Sequence, residues 1–237
     1  MIDLKLLQSE AAALGIALDE TALERFDRYS TELVRVNEHL NLTAITEPTE
    51  VLYKHWIDSL SILRYIEPKT EAKWIDVGTG AGFPGAALLI ARPDLHMTLL
   101  DSTRKKLTFI SETLDMLCLS AETLHMRAEE AGQTASYREQ YDYVSARAVA
   151  NLRELSEYCL PFLKLGGTFI AMKSVRSEEE IAEAQKAIRL FGGRIDTVQT
   201  FLLPNAGERT LIFIKKISQT PTKYPRPSAK IAKQLIK

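Results

Sequence analysis

Four glycines lie within the ten residues from Asp76 to Gly85, which have the sequence DVGTGAGFPG. The loop follows the apolar run Trp74–Val77, which is typical of a buried parallel strand. A helical pattern follows, from about Gly85 to Arg92. Glycine lets the backbone approach a ligand closely and adopt angles that other residues avoid. Because the loop joins a strand to a helix, it predicts a nucleotide-like ligand rather than an ordinary tight turn.

Two acidic residues help to choose between two ligands for this loop. Asp101 ends the second predicted strand, 25 residues beyond Asp76. A carboxylate at Asp101 can accept hydrogen bonds from ribose hydroxyls of either a dinucleotide or S-adenosylmethionine. Gly80, Gly82 and Gly85 do satisfy the dinucleotide pattern G-x-G-x-x-G. Asp76, however, would be repelled by a pyrophosphate, whereas it can meet the positive amino group of S-adenosylmethionine. The pattern therefore favours S-adenosylmethionine as the cofactor.

The elements around the loop predict an α/β fold. Residues 1–70 have helical patterns: Asp19 can cap a helix over Glu20–Leu40, and Pro48 begins a helix that Pro68 ends. After Lys73 strands alternate with helices, which indicates a mostly parallel sheet. The predicted strands are 74–77, 96–100, 122–126, 142–145, 168–172, 194–203 and 210–217, and the helices between them are 85–92, 104–117, 151–163 and 178–190.

Two connections complete this prediction. Gly166-Gly167 is expected to turn the chain before the fifth strand. The connection 204–209 is too short for a helix, so the last two strands should pair antiparallel. The predicted organisation is a helical cap over residues 1–70, a ligand-binding domain over 71–217 and a basic tail over 218–237.

The charge of the chain is distributed unevenly. Its net charge is −1, but the segment from Arg209 to Lys237 holds eight basic residues and no acidic one. Such a segment can bind phosphates, or it can simply be a solvated end, and charge alone leaves both open. The part from residue 220 to 237 contains several prolines and is expected to be partly disordered on its own.

Several classes of protein are excluded by composition. No apolar run approaches the roughly 18 residues that a membrane span needs, and the first residues do not resemble a secretory signal. Cys118 and Cys159 have no metal-like spacing, and the four histidines are scattered, so no metal is predicted. We expect two buried, reduced thiols in a cytoplasmic, monomeric protein.

At the glycine loop the sequence resembles the RsmG (GidB) family of bacterial 16S rRNA guanine-N7 methyltransferases. The similarity extends through nearly the whole chain, in matching order and spacing. The matching residues are Asn37, Asn41-Leu42-Thr43, His55, Asp58-Ser59, the Asp76–Gly85 loop, Asp101-Ser102, Lys105-Lys106, Phe109, Arg127-Ala128-Glu129, Ser145-Ala146-Arg147-Ala148-Val149, Lys173, Glu208-Arg209 and Lys223-Tyr224-Pro225-Arg226. One difference is Ser174, where the resemblance leads us to expect glycine.

The resemblance implies a class I, Rossmann-like methyltransferase fold with seven strands after a helical cap. It implies that S-adenosylmethionine methylates guanosine 527 of 16S rRNA, as free RNA or within the small ribosomal subunit. It also adds residues to the cofactor site, which would then contain Asp76, Gly78, Gly80, Gly82, Phe83, Asp101, Ala128, Glu129, Glu130 and Arg147.

Guanine N7 has an in-plane lone pair and no proton, so no general base is expected and catalysis should be mostly positioning. Arg147 and Lys173 follow predicted strands and are the candidates for that positioning. Arg147 could instead pair with an acid such as Glu154, and Lys173 could be simply solvated. The candidates for RNA binding are Lys105, Lys173, Arg209, Lys223, Tyr224 and Arg226.

Three other functions remain open from the sequence. The same cofactor site could serve a small-molecule or protein methyltransferase, although the basic end argues against this. A non-catalytic RNA-binding protein could keep the fold, but the intact loop and Asp101 argue against it. An NAD-dependent dehydrogenase would need a proton-transferring residue, and none can be assigned.

Overall fold

The structure is a computed structural model that describes residues 1–147, 150–174 and 178–236. Ala148 and Val149, which end one of the matched segments, lie outside the described residues, and so does Lys237 at the end of the tail. The helices are α1 Leu4–Ala13, α2 Glu20–Leu40, α3 Pro48–Val51, α4 Asp58–Leu60, α5 Gly85–Ala91, α6 Arg104–Met116, α7 Ala128–Ala131, α8 Leu152–Cys159, α9 Glu178–Leu190 and α10 Ser228–Lys233. Within the described residues, none is long and apolar enough to cross a membrane.

Seven strands form one mixed sheet in the order β3-β2-β1-β4-β5-β7-β6. The strands are β1 Lys73–Val77, β2 His96–Asp101, β3 Glu122–His125, β4 Tyr141–Arg147, β5 Leu163–Lys173, β6 Gly193–Leu203 and β7 Gly207–Lys216. Strands β1 to β5 are parallel, and β7 pairs antiparallel with both β5 and β6. The predicted mostly parallel sheet with an antiparallel last hairpin is confirmed.

The N-terminal helices pack on one face of the sheet. The Asp19 carboxylate accepts a hydrogen bond from the Ala22 amide, so the predicted cap of α2 is confirmed. The helical run that begins at Pro48 passes through a π-helical segment, Leu52–Ile57, and a 3-10 turn, and it ends at Arg64. It was expected to end at Pro68, but it ends three residues before Glu67, the residue whose helical angles Pro68 disfavours.

The sheet separates two hydrophobic layers. On β1, Trp74 belongs to the layer shared with α1 and α2, whereas Ile75 and Val77 belong to the layer under α8 and α9. Side chains alternate across a strand, so a fully buried strand serves both layers. The helical segment 1–70 therefore shares its core with the sheet, and its description as a separate cap remains a prediction.

Two expectations from the sequence were wrong, and a third differs only in position. Gly166-Gly167 lies inside β5 at an irregularity between the pairs Tyr141/Leu163 and Tyr143/Thr168, where Gly166 has a φ of 80°. Between these pairs β5 advances five residues and β4 two, so the chain does turn at the two glycines, but the turn lies within the bounds of β5 instead of before it. Cys118 is exposed, with a φ of 54° after the end of α6, whereas Cys159 is buried as expected.

The other wrong expectation concerns the tail. Its described residues fold back onto the protein instead of being disordered. Tyr224 and Ile231 are buried, and residues 228–233 form α10. The apolar side chains of the tail are few, but they fill gaps beside α8 and α9 that the sequence could not show.

Candidate functional site

The glycine loop is shaped by positive φ angles at Gly78 (71°), Gly80 (60°) and Gly82 (95°). A Cβ atom on Gly82 would lie 2.3 Å from the Tyr29 hydroxyl, which donates to the Ala81 carbonyl at 2.8 Å. Gly82 therefore allows α2 to pack on the loop. A Cβ on Gly80 would meet nothing closer than 4.0 Å, so Gly80 leaves open space on the other side of the loop.

Asp76 lies behind the loop and is fully buried. Its carboxylate accepts hydrogen bonds from the Gly85 amide at 3.0 Å and from the Ser145 hydroxyl at 2.8 Å. Burial raises the pKa of the Asp76 carboxyl, and these hydrogen bonds act in the opposite direction. Through these hydrogen bonds Asp76 connects the loop to α5 and β4. Its contact with a cofactor amino group remains a prediction.

Beside the loop, a cleft of about 540 Å³ opens at the carboxyl ends of β1, β2 and β4. Ligands bind at this edge in open α/β sheets. Its lining residues are Val77, Gly78, Gly80, Leu100, Asp101, Ser102, Thr103, Lys106, Met126, Arg127, Ala128, Glu129, Arg147, Glu154 and Tyr158. The cleft thus contains six of the predicted cofactor residues, which are Gly78, Gly80, Asp101, Ala128, Glu129 and Arg147.

Asp101 is held rigidly in this cleft. One carboxylate oxygen accepts the Gly80 amide at 3.0 Å, and the other accepts the Thr103 amide at 2.8 Å. A carboxylate has about four acceptor positions, so both oxygens can still accept hydrogen bonds from ribose hydroxyls. The apolar atoms of Leu100 and Met126 line the same cleft and can pack against an adenine ring. These residues fit S-adenosylmethionine.

The opposite wall comes from α7 and α8. Glu129 belongs to α7, whereas Glu154 and Tyr158 belong to α8, where the Tyr158 hydroxyl donates to Glu154 at 2.9 Å. The sequence did not predict Tyr158 as a residue of the site, and it indicated Glu154 only as a possible ion-pair partner of Arg147. Neither residue belongs to a short motif, and only the packing of α8 brings them to the cleft.

Four of the predicted cofactor residues do not line the cleft: Asp76, Gly82, Phe83 and Glu130. Phe83 is buried on the far side of the loop, where its ring stacks on His55 with centroids 4.4 Å apart. Glu130 is exposed on α7. Their predicted contacts with the cofactor are not tested by this geometry and remain predictions.

Arg147 connects the cleft to the helical segment. Its guanidinium donates to the Asp58 carboxylate and to the Lys54 carbonyl, each at 2.9 Å, and lies 5.2 Å from the centre of the Phe83 ring. The other oxygen of Asp58 accepts from Arg209 Nε at 2.9 Å. Asp58 is buried and thus bridges two arginines that are far apart in the sequence. The partner of Arg147 is Asp58, not Glu154.

His55 is neutral in this network. Burial, and then the positive charge of Arg147, lower the pKa of His55 to about 3. Its Nδ1 lies 3.3 Å from Arg147 Nη2, and its Nε2 lies 3.0 Å from Thr43 Oγ1. Because a guanidinium can only donate, Nδ1 accepts, and the ring proton must lie on Nε2, which donates to Thr43. The matched residues Thr43, His55, Asp58 and Arg147 therefore form one network.

The basic residues predicted to bind RNA fall into two groups. Three are held by acids: Lys173 by Glu180 at 2.7 Å, Arg209 by Asp58 and Arg226 by Glu157 at 2.6 Å. Lys105 and Lys223 are exposed. Tyr224 is buried, with its ring edge-on to that of Phe191 and 5.0 Å from it. None of these arrangements tests RNA binding, which remains a prediction for all six residues.

Comparison with solved structures defines the class of the fold. The SAM-dependent O-methyltransferase of Thermotoga maritima superposes with a TM-score of 0.54 and 16% identity, covering 80% of this chain and 72% of that one. The YcgJ protein of Bacillus subtilis gives 0.54 and 12%, covering 69% and 100%. The fold is therefore the class I, Rossmann-like fold of S-adenosylmethionine-dependent methyltransferases.

Comparison of sequences is more specific. Residues 22–212 match the family described as GidB, rRNA small subunit methyltransferase G. The ribosomal RNA small subunit methyltransferase G of Acetivibrio thermocellus is 48% identical, over 97% of this chain and 95% of its own. That of Leuconostoc mesenteroides is 43% identical, over 95% of each. The chain belongs to this family, as the resemblance predicted, and its methyl donor is S-adenosylmethionine.

Proposed function

We propose that the protein transfers a methyl group from S-adenosylmethionine to N7 of guanosine 527 in 16S rRNA. The observation that carries the proposal is the cleft, where Asp101 is fixed by backbone amides at the carboxyl edge of the sheet. Support for an rRNA substrate comes from the relatives, which are named ribosomal RNA small subunit methyltransferases. The base, the atom and the position come from the family resemblance.

The bound cofactor supplies a methyl carbon made electrophilic by the sulfonium. Guanine N7 would supply the lone pair for the new bond to that carbon, and sulfur would keep the electrons of the bond that breaks. No proton moves, so the residues of this chain need only align the two reactants. Asp101 and the Gly78–Gly80 turn would fix the cofactor, while Arg147 and Lys173 would position the nucleotide.

Charge in the site suits a substrate that becomes positive as it is methylated. Glu129 and Glu154 line the cleft, and carboxylates there stabilise positive charge that develops on the guanine ring. The guanidinium of Arg147 is paired with Asp58, and His55 is neutral beside it. Together with Asp101, three carboxylates therefore line the cleft, against Lys106 and Arg127 as the lining cations that form no ion pair among the described residues.

The surface that binds RNA would be the cationic rim, which we define as Arg104, Lys105, Lys106 and Arg127. Lys106 and Arg127 line the cleft, and Arg104 and Lys105 are exposed beside them. The end of β2 lies next to the end of β3, since Asp101 pairs with His125 and the His125 ring contacts the Ser102 carbonyl at 3.1 Å. In the described parts of the chain, none of the four forms an ion pair, so all are available to phosphates.

The three predicted RNA contacts that are ion-paired would have to compete with a carboxylate for a phosphate. We therefore assign the main phosphate contacts to the rim, and secondary ones to Lys173, Arg209 and Arg226. The proposed partner is 16S rRNA or the small ribosomal subunit in the cytoplasm, bound by a monomer. We also propose that residues 1–70 act as a cap, residues 71–217 as the catalytic domain and residues 218–237 as a tail.

The test uses small ribosomal subunits and 16S rRNA from cells that lack this protein. The purified protein and methyl-labelled S-adenosylmethionine should transfer label to one guanosine. Borohydride followed by aniline cleaves RNA at 7-methylguanosine, so a cut at position 527 would identify both atom and position. Label at another base or atom would refute the proposed specificity. Absence of label, with cofactor bound, would refute the rRNA substrate.

A further inference from the structure

The outer wall of the cleft consists of two helices that need support from elsewhere. Ala128 and Glu129 lie on α7, and Glu154 and Tyr158 lie on α8. Helix α7 has only four residues, and a helix of that length is not stable by itself in water. The positions of the cofactor-facing side chains therefore depend on what packs behind these two helices. The segment behind both is the C-terminal tail.

Arg226 of the tail is bound to the buried side of α8. Its backbone amide and its Nε donate to one oxygen of Glu157, at 2.9 and 2.8 Å, and its Nη2 donates to the other at 2.6 Å. Glu157 is 1% exposed and lies between Glu154 and Tyr158 in the sequence of α8. Removing one partner of a buried ion pair leaves a charge without compensation. Arg226 therefore holds the helix that carries two residues of the cleft.

The preceding residues of the tail hold the end of α7. Gln133 Nε2 donates to the carbonyls of Pro225, at 2.9 Å, and Thr222, at 3.2 Å. The Pro225 ring lies against Gly132, where a Cβ atom would be 3.0 Å from the Pro225 Cγ. Arg138 then bridges the carbonyls of Gly132 and Tyr224, at 2.9 and 2.8 Å.

The tail is itself anchored to the core, so it can act as a support. The Tyr224 ring packs edge-on against Phe191, and the Thr220 hydroxyl donates to the Phe191 carbonyl at 2.7 Å. The fully buried Lys216 donates to that same carbonyl and to the Thr220 hydroxyl. Ile231 of α10 is completely buried. These contacts connect the tail to β7 and α9.

We propose that the C-terminal tail, through Arg226 and Pro225, positions α7 and α8 as the wall of the cofactor cleft. Arg226 is then a positioning residue for cofactor binding, in addition to the secondary phosphate contact proposed above. Since the two processes are linked, docking of the tail and binding of the cofactor must strengthen each other by the same factor. This inference rests on the proposed assignment of the cleft to S-adenosylmethionine.

The first test measures the affinity of the full chain for S-adenosylhomocysteine by calorimetry. Arg226→Met should raise the Kd about tenfold or more, and Arg226→Lys, which keeps the charge but not the two-pronged geometry, should raise it less. The exposed tail cation Lys230 gives the matched control, Lys230→Ala, which should change the Kd less than about twofold. With Arg226→Met, the KM for the ribosomal substrate should change less than the Kd for the cofactor product.

General loss of stability needs its own control. Leu7 is fully buried in α1, away from the tail, and Leu7→Ala should lower the melting temperature without changing the Kd. A folded Arg226→Met or Arg226→Lys variant with unchanged Kd would overturn the inference. An equal rise of the Kd in Leu7→Ala would overturn it as well, because the effect would then be general.

Hydrogen exchange of the unmodified protein provides a test without substitutions. Adding S-adenosylhomocysteine should slow amide exchange in residues 220–236, since binding stabilises the docked tail. Unchanged exchange there would contradict the linkage. Failure of the unmodified protein to bind S-adenosylhomocysteine would refute the assignment of the cleft, whereas binding that is insensitive to Arg226 would refute only the role of the tail.

Discussion

Replacing Asp101 by alanine tests the central residue of the cleft. The carboxylate accepts one hydrogen bond from Gly80 of the loop and one from Thr103 at the start of α6, and it can accept further bonds from the ribose. A hydrogen bond to a charged group contributes about 1.5–3 kcal/mol. Loss of one ribose bond should therefore weaken binding of S-adenosylhomocysteine about 10- to 140-fold. Calorimetry on the full chain measures this change directly.

The substitution also loosens the loop, and a cofactor analogue separates this effect from the loss of the ribose contact. A deoxy analogue of S-adenosylhomocysteine lacks the ribose hydroxyl that the carboxylate would bind. The unmodified protein should bind the analogue more weakly, and Asp101→Ala should bind both compounds about equally. Asp115 is exposed on α6, so Asp115→Ala is the matched control and should behave as the unmodified protein. An undiminished preference for the ribose hydroxyl in Asp101→Ala would refute the proposed contact.

Three further predictions concern the network and the rim. The pKa of His55 is lowered to about 3 in the folded protein, whereas the unfolded chain takes up the proton near pH 6.5. The folded state therefore loses stability as the pH falls below about 6.5. Between pH 7.5 and pH 5, the free energy of unfolding, measured with urea, should therefore fall less in His55→Asn than in the unmodified protein. Asp58→Asn should lower stability by about 3 kcal/mol, since it removes the anion shared by two arginines. In the double variant Lys105→Ala/Arg127→Ala, the affinity for RNA should depend less steeply on salt concentration, by an amount that corresponds to about two lost phosphate contacts.

Each of these predictions has a control and a contrary result. His39 is exposed on α2, and His39→Asn should leave the pH dependence of stability unchanged. An unaltered pH dependence in His55→Asn would show that another group carries it. For Asp58→Asn, an unchanged urea midpoint would contradict the bridging role. For the rim, a double alanine variant of the exposed tail residues Lys230 and Lys233 should weaken RNA binding less than the rim variant does. A larger effect of the tail variant would assign RNA binding to the tail.

The fold could be predicted from the sequence because its signals are local. Asp19 and the apolar spacing after it define α2, and the apolar run before the glycine loop defines β1. Local signals failed where a distant partner decides. The tail resembles a disordered segment, yet Glu157 and Phe191 hold it in place.

The candidate site shows the same limit. The loop and Asp101 were predictable because a strand end is the place where a carboxylate meets a ligand. The bridging role of Asp58 was not, because Arg147 and Arg209 reach it only in the folded sheet, 89 and 151 residues away along the chain. Likewise, a basic residue within a motif gives no information on whether an acid already holds it. Lys105 and Arg226 look alike in the sequence, but only Lys105 is exposed.

The positions of the cations follow from the proposed chemistry. Methylated guanine remains positively charged, so an uncompensated cation close to the ring would raise the free energy of the transition state. Arg147, the arginine that reaches into the cleft from β4, shares Asp58 with Arg209 and donates to the Lys54 carbonyl, which reduces its effect on the ring. The exposed cations of the rim lie in water, where salt screens their charge over about 10 Å. In the proposed function, they attract phosphates along the RNA without opposing the positive charge on the purine.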